Sequence, residues 1–307
     1  MIETILALDC GQSGTRGRVT TGSGERSGPD VDLPAVRTDL PVLDQLAGFA
    51  AAIIDAGHPV GTLALGVTGL TAADRPEALL RLLAPRGVAR VVLAHDSVTS
   101  YLAALGADPG VVVASGTGVV TLAVGAERIA RVDGWGYIMG DAGSGWWIGR
   151  EGLVSGMRAF DGRGGSEGML AAIRRDFGGD PAGAYMVLQA DPGRVQRVAS
   201  YARLVLDLAA EGDPACHDIV VRAAGELADS AATGLRLVGE SAEPLAVGLG
   251  GVFRSPLMAE SFAARLEARA PGARVVPPRG TGLDGAALLA TLPADHPLRA
   301  GFAEADA

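Results

Sequence analysis

The chain opens on an apolar run, Ile5-Leu6-Ala7-Leu8, which breaks on Asp9-Cys10-Gly11-Gln12-Ser13-Gly14 and resumes β-like at Gly17-Arg18-Val19-Thr20. Short apolar runs bounded by turn residues predict buried strands, and two across a tight turn predict a hairpin with glycines at its tip. Residues 21–40 are rich in Gly, Pro, Ser and Asp without a period, which predicts an irregular loop. From Pro41 a helical stripe follows, Leu43, Leu46, Phe49, Ala50 and Ile53, closed by Gly57.

The alternation then continues. Residues 63–67 read as a strand entering the loop Thr68-Gly69-Leu70-Thr71, 76–83 as a short helix, and 91–94 as a strand ending at His95-Asp96. Residues 97–105 read as a helix and 111–114 as a strand ending at Ser115-Gly116-Thr117-Gly118, with a further strand over 119–124. Residues 133–153 are so dense in glycine that no ordinary helix or strand is expected there, only a shaped loop leading into a helix. Residues 196–240 are mostly helical in pattern. The strand 245–249 meets Gly250-Gly251, a last strand lies near Val275-Val276, and a small-residue helix covers 285–291. Strands alternating with helices predict an α/β fold with ligands at the strand ends.

Composition narrows the picture. A chain of 307 residues accommodates two lobes with separate cores, and 48% hydrophobic with 20% charged residues is too apolar for disorder. No apolar run is long enough to span a bilayer, and the first residues lack a basic leader, so a cytoplasmic location is expected. Every one of the 26 basic residues is Arg, and the net charge of −9 argues against nucleic acid or an anionic membrane as partner. Cys10 and Cys216 are far apart and form no metal-binding pair, which predicts reduced thiols.

Four features carry chemistry together. Asp9 at a strand end, followed by Gly11, Gln12, Ser13, Gly14, Thr15 and Arg16, offers backbone N–H groups, hydroxyls and a guanidinium to phosphate, with Asp9 suited to a hydrated Mg²⁺; its plain alternative is a glycine-rich turn. Ser115, Gly116, Thr117 and Gly118 repeat the pattern, and two such turns on two lobes can grip a triphosphate. No P-loop pattern occurs, which excludes that kinase class. Asp96 closes an apolar strand and opens a helix, where it is either a helix cap or a base for a hydroxyl proton. Gly250 and Gly251 after a strand let backbone approach a flat ring such as adenine. Trp146 and Trp147 at a helix start read first as core, and His95 as a packing or hydrogen-bonding neighbour of Asp96.

In this order the motifs resemble the actin-like ATPase superfamily of sugar kinases, actin and Hsp70, and within it the N-acetylglucosamine kinase and BadF-type ATPase family. The most specific match is Gly134-Trp135-Gly136-Tyr137-Ile138-Met139-Gly140-Asp141-Ala142-Gly143-Ser144-Gly145, similar to that family's GWG-x-x-x-GDEGS stretch, with Ala142 replacing its second acid. The resemblance implies a two-lobed actin-like (ribonuclease H-like) α/β fold with an interdomain nucleotide cleft. Residues 1–114 would form the first lobe and 115–307 the second, with the last helix able to pack back on the first. It implies ATP and Mg²⁺ as cofactors, Asp96 as catalytic base, and Thr68, Gly69, Asp96, Thr117, Gly118 and Asp141 as sugar contacts. The activity it implies is phosphorylation of an amino sugar, N-acetylglucosamine or glucosamine, at O6. No counterpart of the family's N-acetyl-reading segment is recognisable in 21–40, which leaves the sugar's identity open, as it leaves pairing into a homodimer. The alternatives are a BadF-type activator of a dehydratase, which holds an iron–sulfur cluster on cysteines, and a non-catalytic sugar sensor.

Overall fold

In a computed structural model, which describes residues 4–11, 14–21, 25–239 and 243–307, the first apolar run becomes β1 (Thr4–Gly11), antiparallel to β2 (Gly14–Thr21). They belong to the first of two units, which gathers Met1–Gly110, Val124–Ile129 and Pro277–Ala307. Its sheet runs β11-β5-β4-β1-β2-β3, with β4 (Thr62–Val67) and β5 (Arg90–His95) parallel to β1 and β11 (Phe302–Asp306) antiparallel to β5.

The strand β3 (Val31–Leu33) lies inside the stretch expected to be irregular. Three residues are too few to show alternation. The helix α1 (Val42–Asp55) buries Val42, Leu46, Ala50 and Ile53, so its core stripe includes Val42, and Leu43 and Phe49 are only partly buried. With α2 (Pro76–Leu83) it covers the sheet face that presents Leu6, Leu8, Leu63 and Leu65. Ala7 points to the other face, where it packs on Leu283 and Ala286 of α10 (Gly282–Leu289), three residues ahead of the expected start. There α10 crosses α3 (Asp96–Leu105) so closely that a Cβ on Gly285 would lie 1.8 Å from the Thr99 carbonyl.

The second unit comprises Val111–Ala123 and Ala130–Val276, and its sheet runs β10-β9-β6-β7-β8. These strands are β6 (Gly110–Ser115), β7 (Val119–Val124), β8 (Ile129–Val132), β9 (Leu245–Leu249) and β10 (Arg274–Val275). Six helices accompany them: α4 (Gly145–Phe160), α5 (Glu167–Asp176), α6 (Ala184–Ala190), α7 (Arg194–Ala210), α8 (Pro214–Val238) and α9 (Pro256–Arg269). The long helix α8 carries much of the core, including Ala224, Leu227, Ala231 and Leu235.

The glycine-dense block is only half loop. Its second half is α4, in which Gly145, Gly149, Gly152 and Gly156 fall at i, i+4, i+7 and i+11 and so share one face. A Cβ on Gly149 would lie 2.0 Å from the Val198 carbonyl of α7, and one on Gly156 would lie 3.0 Å from the Leu170 amide of α5. Tertiary packing thus overrides the poor helix propensity of glycine. Among the described residues no helix is long and apolar enough to cross a membrane.

Candidate active site

In the first unit, β1, β4 and β5 run parallel, and their C-terminal ends bring together Asp9, the loop Thr68-Gly69 and Asp96. The Thr68 N–H donates to the Cys10 carbonyl at 3.0 Å, and Gly69 takes φ +75° where a Cβ would strike the Thr38 side chain. A cavity of about 570 Å³ lies at the hairpin, lined by Asp9, Gly11, Gly14, Arg16 and Asp32 among others. Asp32, on β3 opposite Arg16, escaped sequence reasoning because its strand did. Gln12 and Ser13 lie outside the described residues.

The hairpin register sorts its side chains. Asp9 pairs with Arg16, and Cys10 with Thr15, so the two pairs point to opposite faces. Thr15 borders the cavity but is buried, its hydroxyl beside the Cys10 thiol and without a conventional hydrogen-bond partner. The expectation that Thr15 and Arg16 reach phosphate with their side chains together is therefore corrected: Arg16 is exposed and the Thr15 hydroxyl is on the core side. Burial pushes the Cys10 thiol up to about 12.

Burial also raises the Asp9 carboxyl above the usual carboxylate range; Arg16 draws it down and the charge of Asp96 pushes it up. Gly282, the first residue of α10, packs on that carboxylate, since a Cβ there would lie 2.5 Å from Asp9 Oδ2. The positive end of α10 thereby faces a negative group. Behind it Arg18, buried on β2, binds Asp30 through two nitrogens and Asp284 of α10 through a third.

Asp96 is the first residue of α3, and His95 occupies the cap position without a side-chain capping bond. The helix-cap explanation of Asp96 therefore does not hold. Its Oδ1 lies 2.6 Å from His95 Nδ1, and its side chain is 38% exposed, open enough to meet a ligand.

In the second unit the turn Ser115–Gly118 is held from behind. Gly145 N–H and Trp146 N–H, at the start of α4, donate to the carbonyls of Gly116 and Thr117 at 2.8 and 3.0 Å. Ser115 is buried and its hydroxyl donates to the Gly143 carbonyl, so that hydroxyl braces the turn instead of reaching a phosphate. Gly250, at φ +103°, sits so close that a Cβ would lie 2.0 Å from the Ser115 carbonyl. Gly116, Thr117 and Gly251 open onto a cavity of about 590 Å³, a volume suited to a nucleoside. Gln196, Ser200 and Arg203 of α7 and Arg254 complete its wall. The three on α7 were not found from sequence, because α7 lies some eighty residues from the turn it meets and shows only an ordinary helical pattern.

Asp141 takes φ +63°, rare for a residue with a side chain, and is buried. Its Oδ1 accepts from Val119 N–H at 3.2 Å and its own N–H donates to Asp133 Oδ1 at 2.9 Å. Gly118 leaves room for the carboxylate, whose pKa burial raises, Val119 N–H lowers and Asp133 raises again. Thr117, Gly118 and Asp141 are thus neighbours. Trp147 lies on the core beneath Arg222, and Trp146 packs 5.2 Å from Tyr137.

Known families and structures resemble this chain. The model of the BadF/BadG/BcrA/BcrD ATPase family matches residues 10–290. An N-acetylmuramic acid/N-acetylglucosamine kinase of Clostridium acetobutylicum is 33% identical over 103 residues, 31% of this chain and 33% of that protein. The match thus spans about a third of that relative's length. The crystal structure of a candidate N-acetylglucosamine kinase from Chromobacterium violaceum is similar with a TM-score of 0.70 and 25% identity, covering 94% of this chain and 99% of that one. One from Porphyromonas gingivalis gives 0.69 and 18%, covering 92% and 96%. The two sheets with their helices therefore have the fold of the two-lobed actin-like ATPases.

Proposed function

The chain belongs to the BadF/BadG/BcrA/BcrD ATPase family, and on that premise we propose that it is an ATP-dependent kinase of an amino sugar, N-acetylglucosamine or glucosamine, acting at O6. The observation that carries this reading is Asp96: a half-exposed carboxylate at a strand end, not used as a helix cap, beside a hairpin that presents Asp9 and Arg16. The kinship with an N-acetylmuramic acid/N-acetylglucosamine kinase supports the substrate class.

In this reading Arg16 and the backbone of Gly11 and Gly14 are phosphate contacts of the first unit, and the backbone of Ser115, Gly116, Thr117 and Gly118 supplies the phosphate contacts of the second. The base and ribose fill the cavity beside Gly250-Gly251. Thr68, Gly69, Thr117, Gly118 and Asp141 hold the sugar, and Asp96 accepts its hydroxyl proton as the oxygen attacks the γ-phosphorus. Asp9 fits a hydrated divalent cation: it borders the hairpin cavity, and a cation would relieve the burial that raises its pKa. Bound with the nucleotide, Mg²⁺ would neutralise phosphate charge through its water shell. The dehydratase-activator reading gains no support from the cysteines, since Cys10 and Cys216 are both buried with thiols raised to about 12 and about 11.

The test is sugar-dependent ADP release from ATP and Mg²⁺ over a panel of amino sugars and hexoses. Stimulation greatest with an amino sugar is expected, and a panel without any stimulation overturns the reading.

A further inference from the structure

We propose that His95 is a positioning residue for Asp96, holding one carboxylate oxygen so that the other is aimed at the acceptor hydroxyl; this rests on the kinase reading above. The chain passes from β5 to α3 between the two residues, and this change of direction lets adjacent side chains meet. The Nδ1 of His95 is 2.6 Å from Asp96 Oδ1, closed to solvent and without a hydrogen-bond partner elsewhere. The distance is within hydrogen-bond reach, and only the angle is off line. Catalytic contacts commonly sit this way before substrate closes on them.

Charge gives the contact a second purpose. Asp96 faces Asp9, whose carboxyl its charge helps to raise, and two facing carboxylates each need a partner. Arg16 on β2 serves Asp9 by its charge, and the His95 Nδ1–H on β5 serves Asp96 as a donor. During transfer the hydroxyl O–H bond breaks as the new P–O bond forms, the proton passes to Asp96 Oδ2, and the bond to the β-phosphate oxygen breaks to release ADP. His95 takes no proton in that step. It selects the rotamer of the group that does.

The experiment compares His95→Ala, His95→Asn and His95→Gln. Asparagine carries its amide nitrogen at the δ position, where Nδ1 lies, and glutamine one atom further out. Expected is a fall in kcat of ~10–100-fold for His95→Ala, the cost of a misplaced group, with KM for ATP and sugar within about twofold. His95→Asn should recover most of the rate and His95→Gln little. Unchanged kcat in His95→Ala, or an Asn variant as slow as the Ala variant, overturns the proposal.

A second readout needs no turnover and still decides if His95→Ala does not fold. Long-range ¹⁵N–¹H spectra, with the His95 signal assigned by its loss in His95→Asn, should show the Nδ1–H form in the native chain and a change toward Nε2–H in Asp96→Asn. An Nε2–H form already present in the native chain overturns it. If the native chain releases no ADP with any sugar, the kinase reading fails while the spectra still decide the contact.

Discussion

Asp9 and Arg16 stand directly opposite one another across the β1–β2 ladder, and the next pair, Cys10 and Thr15, faces the core. One residue of register decides which side chains meet a ligand. Arg16→Ala should weaken ATP binding ~10-fold or more, the worth of a charged hydrogen bond. Thr15→Val should leave affinity within about twofold and raise stability by up to ~1 kcal/mol, because it removes a buried hydroxyl without a partner. Titration calorimetry with a non-hydrolysable ATP analogue checks both, and equal damage by the two variants contradicts the assignment.

Asp96→Asn keeps the shape of the side chain and removes its basicity. Sugar-dependent turnover should fall by ~10²–10⁴, the usual contribution of a general base. Nucleotide affinity should stay within about twofold. A variant with native turnover would remove Asp96 from the mechanism.

Two adjacent glycines should respond differently to alanine. Gly250 combines φ +103° with backbone 2.0 Å from a Cβ position, whereas Gly251 has helical angles and open space. Gly250→Ala is expected to cost about 2–4 kcal/mol in stability through strain and displaced backbone. Gly251→Ala should cost under ~1 kcal/mol and act, if anywhere, on nucleotide affinity. Thermal unfolding of both variants, with and without ATP, measures this.

Burial alone would raise the Asp284 carboxyl, but Thr281 N–H, the Arg18 guanidinium and the Thr281 hydroxyl bring it down to about 2. A carboxyl depressed in the folded state stabilises fully above its ordinary pKa of about 3.9, and the contribution is lost as pH falls toward the folded value. Urea midpoints of the native chain and Asp284→Asn should therefore differ at pH 5 and draw together as pH falls from about 4 to about 2. A gap that stays constant over that range would refute the assignment.

The elements with long apolar runs and glycine turns, β1, β2, β4, β5 and the β6–β7 hairpin, are legible in the sequence because each buries most of its residues. The edge strands β3, β8 and β11 are not, whereas the short edge strand β10 is expected near Val275-Val276. β11 buries only Ala305, and β3 is three residues long. The start of α4 near Trp146 is legible, but not why a stretch so rich in glycine stays helical, because the reason is the backbone of α7, far away in sequence. At the candidate site, the motifs fall on loops at strand ends, yet alternation and bracing turn Thr15 and Ser115 inward. Hydrophobic pattern alone does not say which hydroxyl the fold will use for itself.

The glycine stripe of α4 has a mechanical meaning. Most helix pairs are separated by a layer of side chains that can flex, but at Gly149 the backbones of α4 and α7 meet without one. The same α7 forms one wall of the 590 Å³ cavity, and the first N–H groups of α4 hold the carbonyls of Gly116 and Thr117. Wall, seam and turn thus form one stiff train: under the proposed function, a ligand that presses on α7 would displace the 116–118 turn with almost no slack, and the fit of the base would set the phosphate grip.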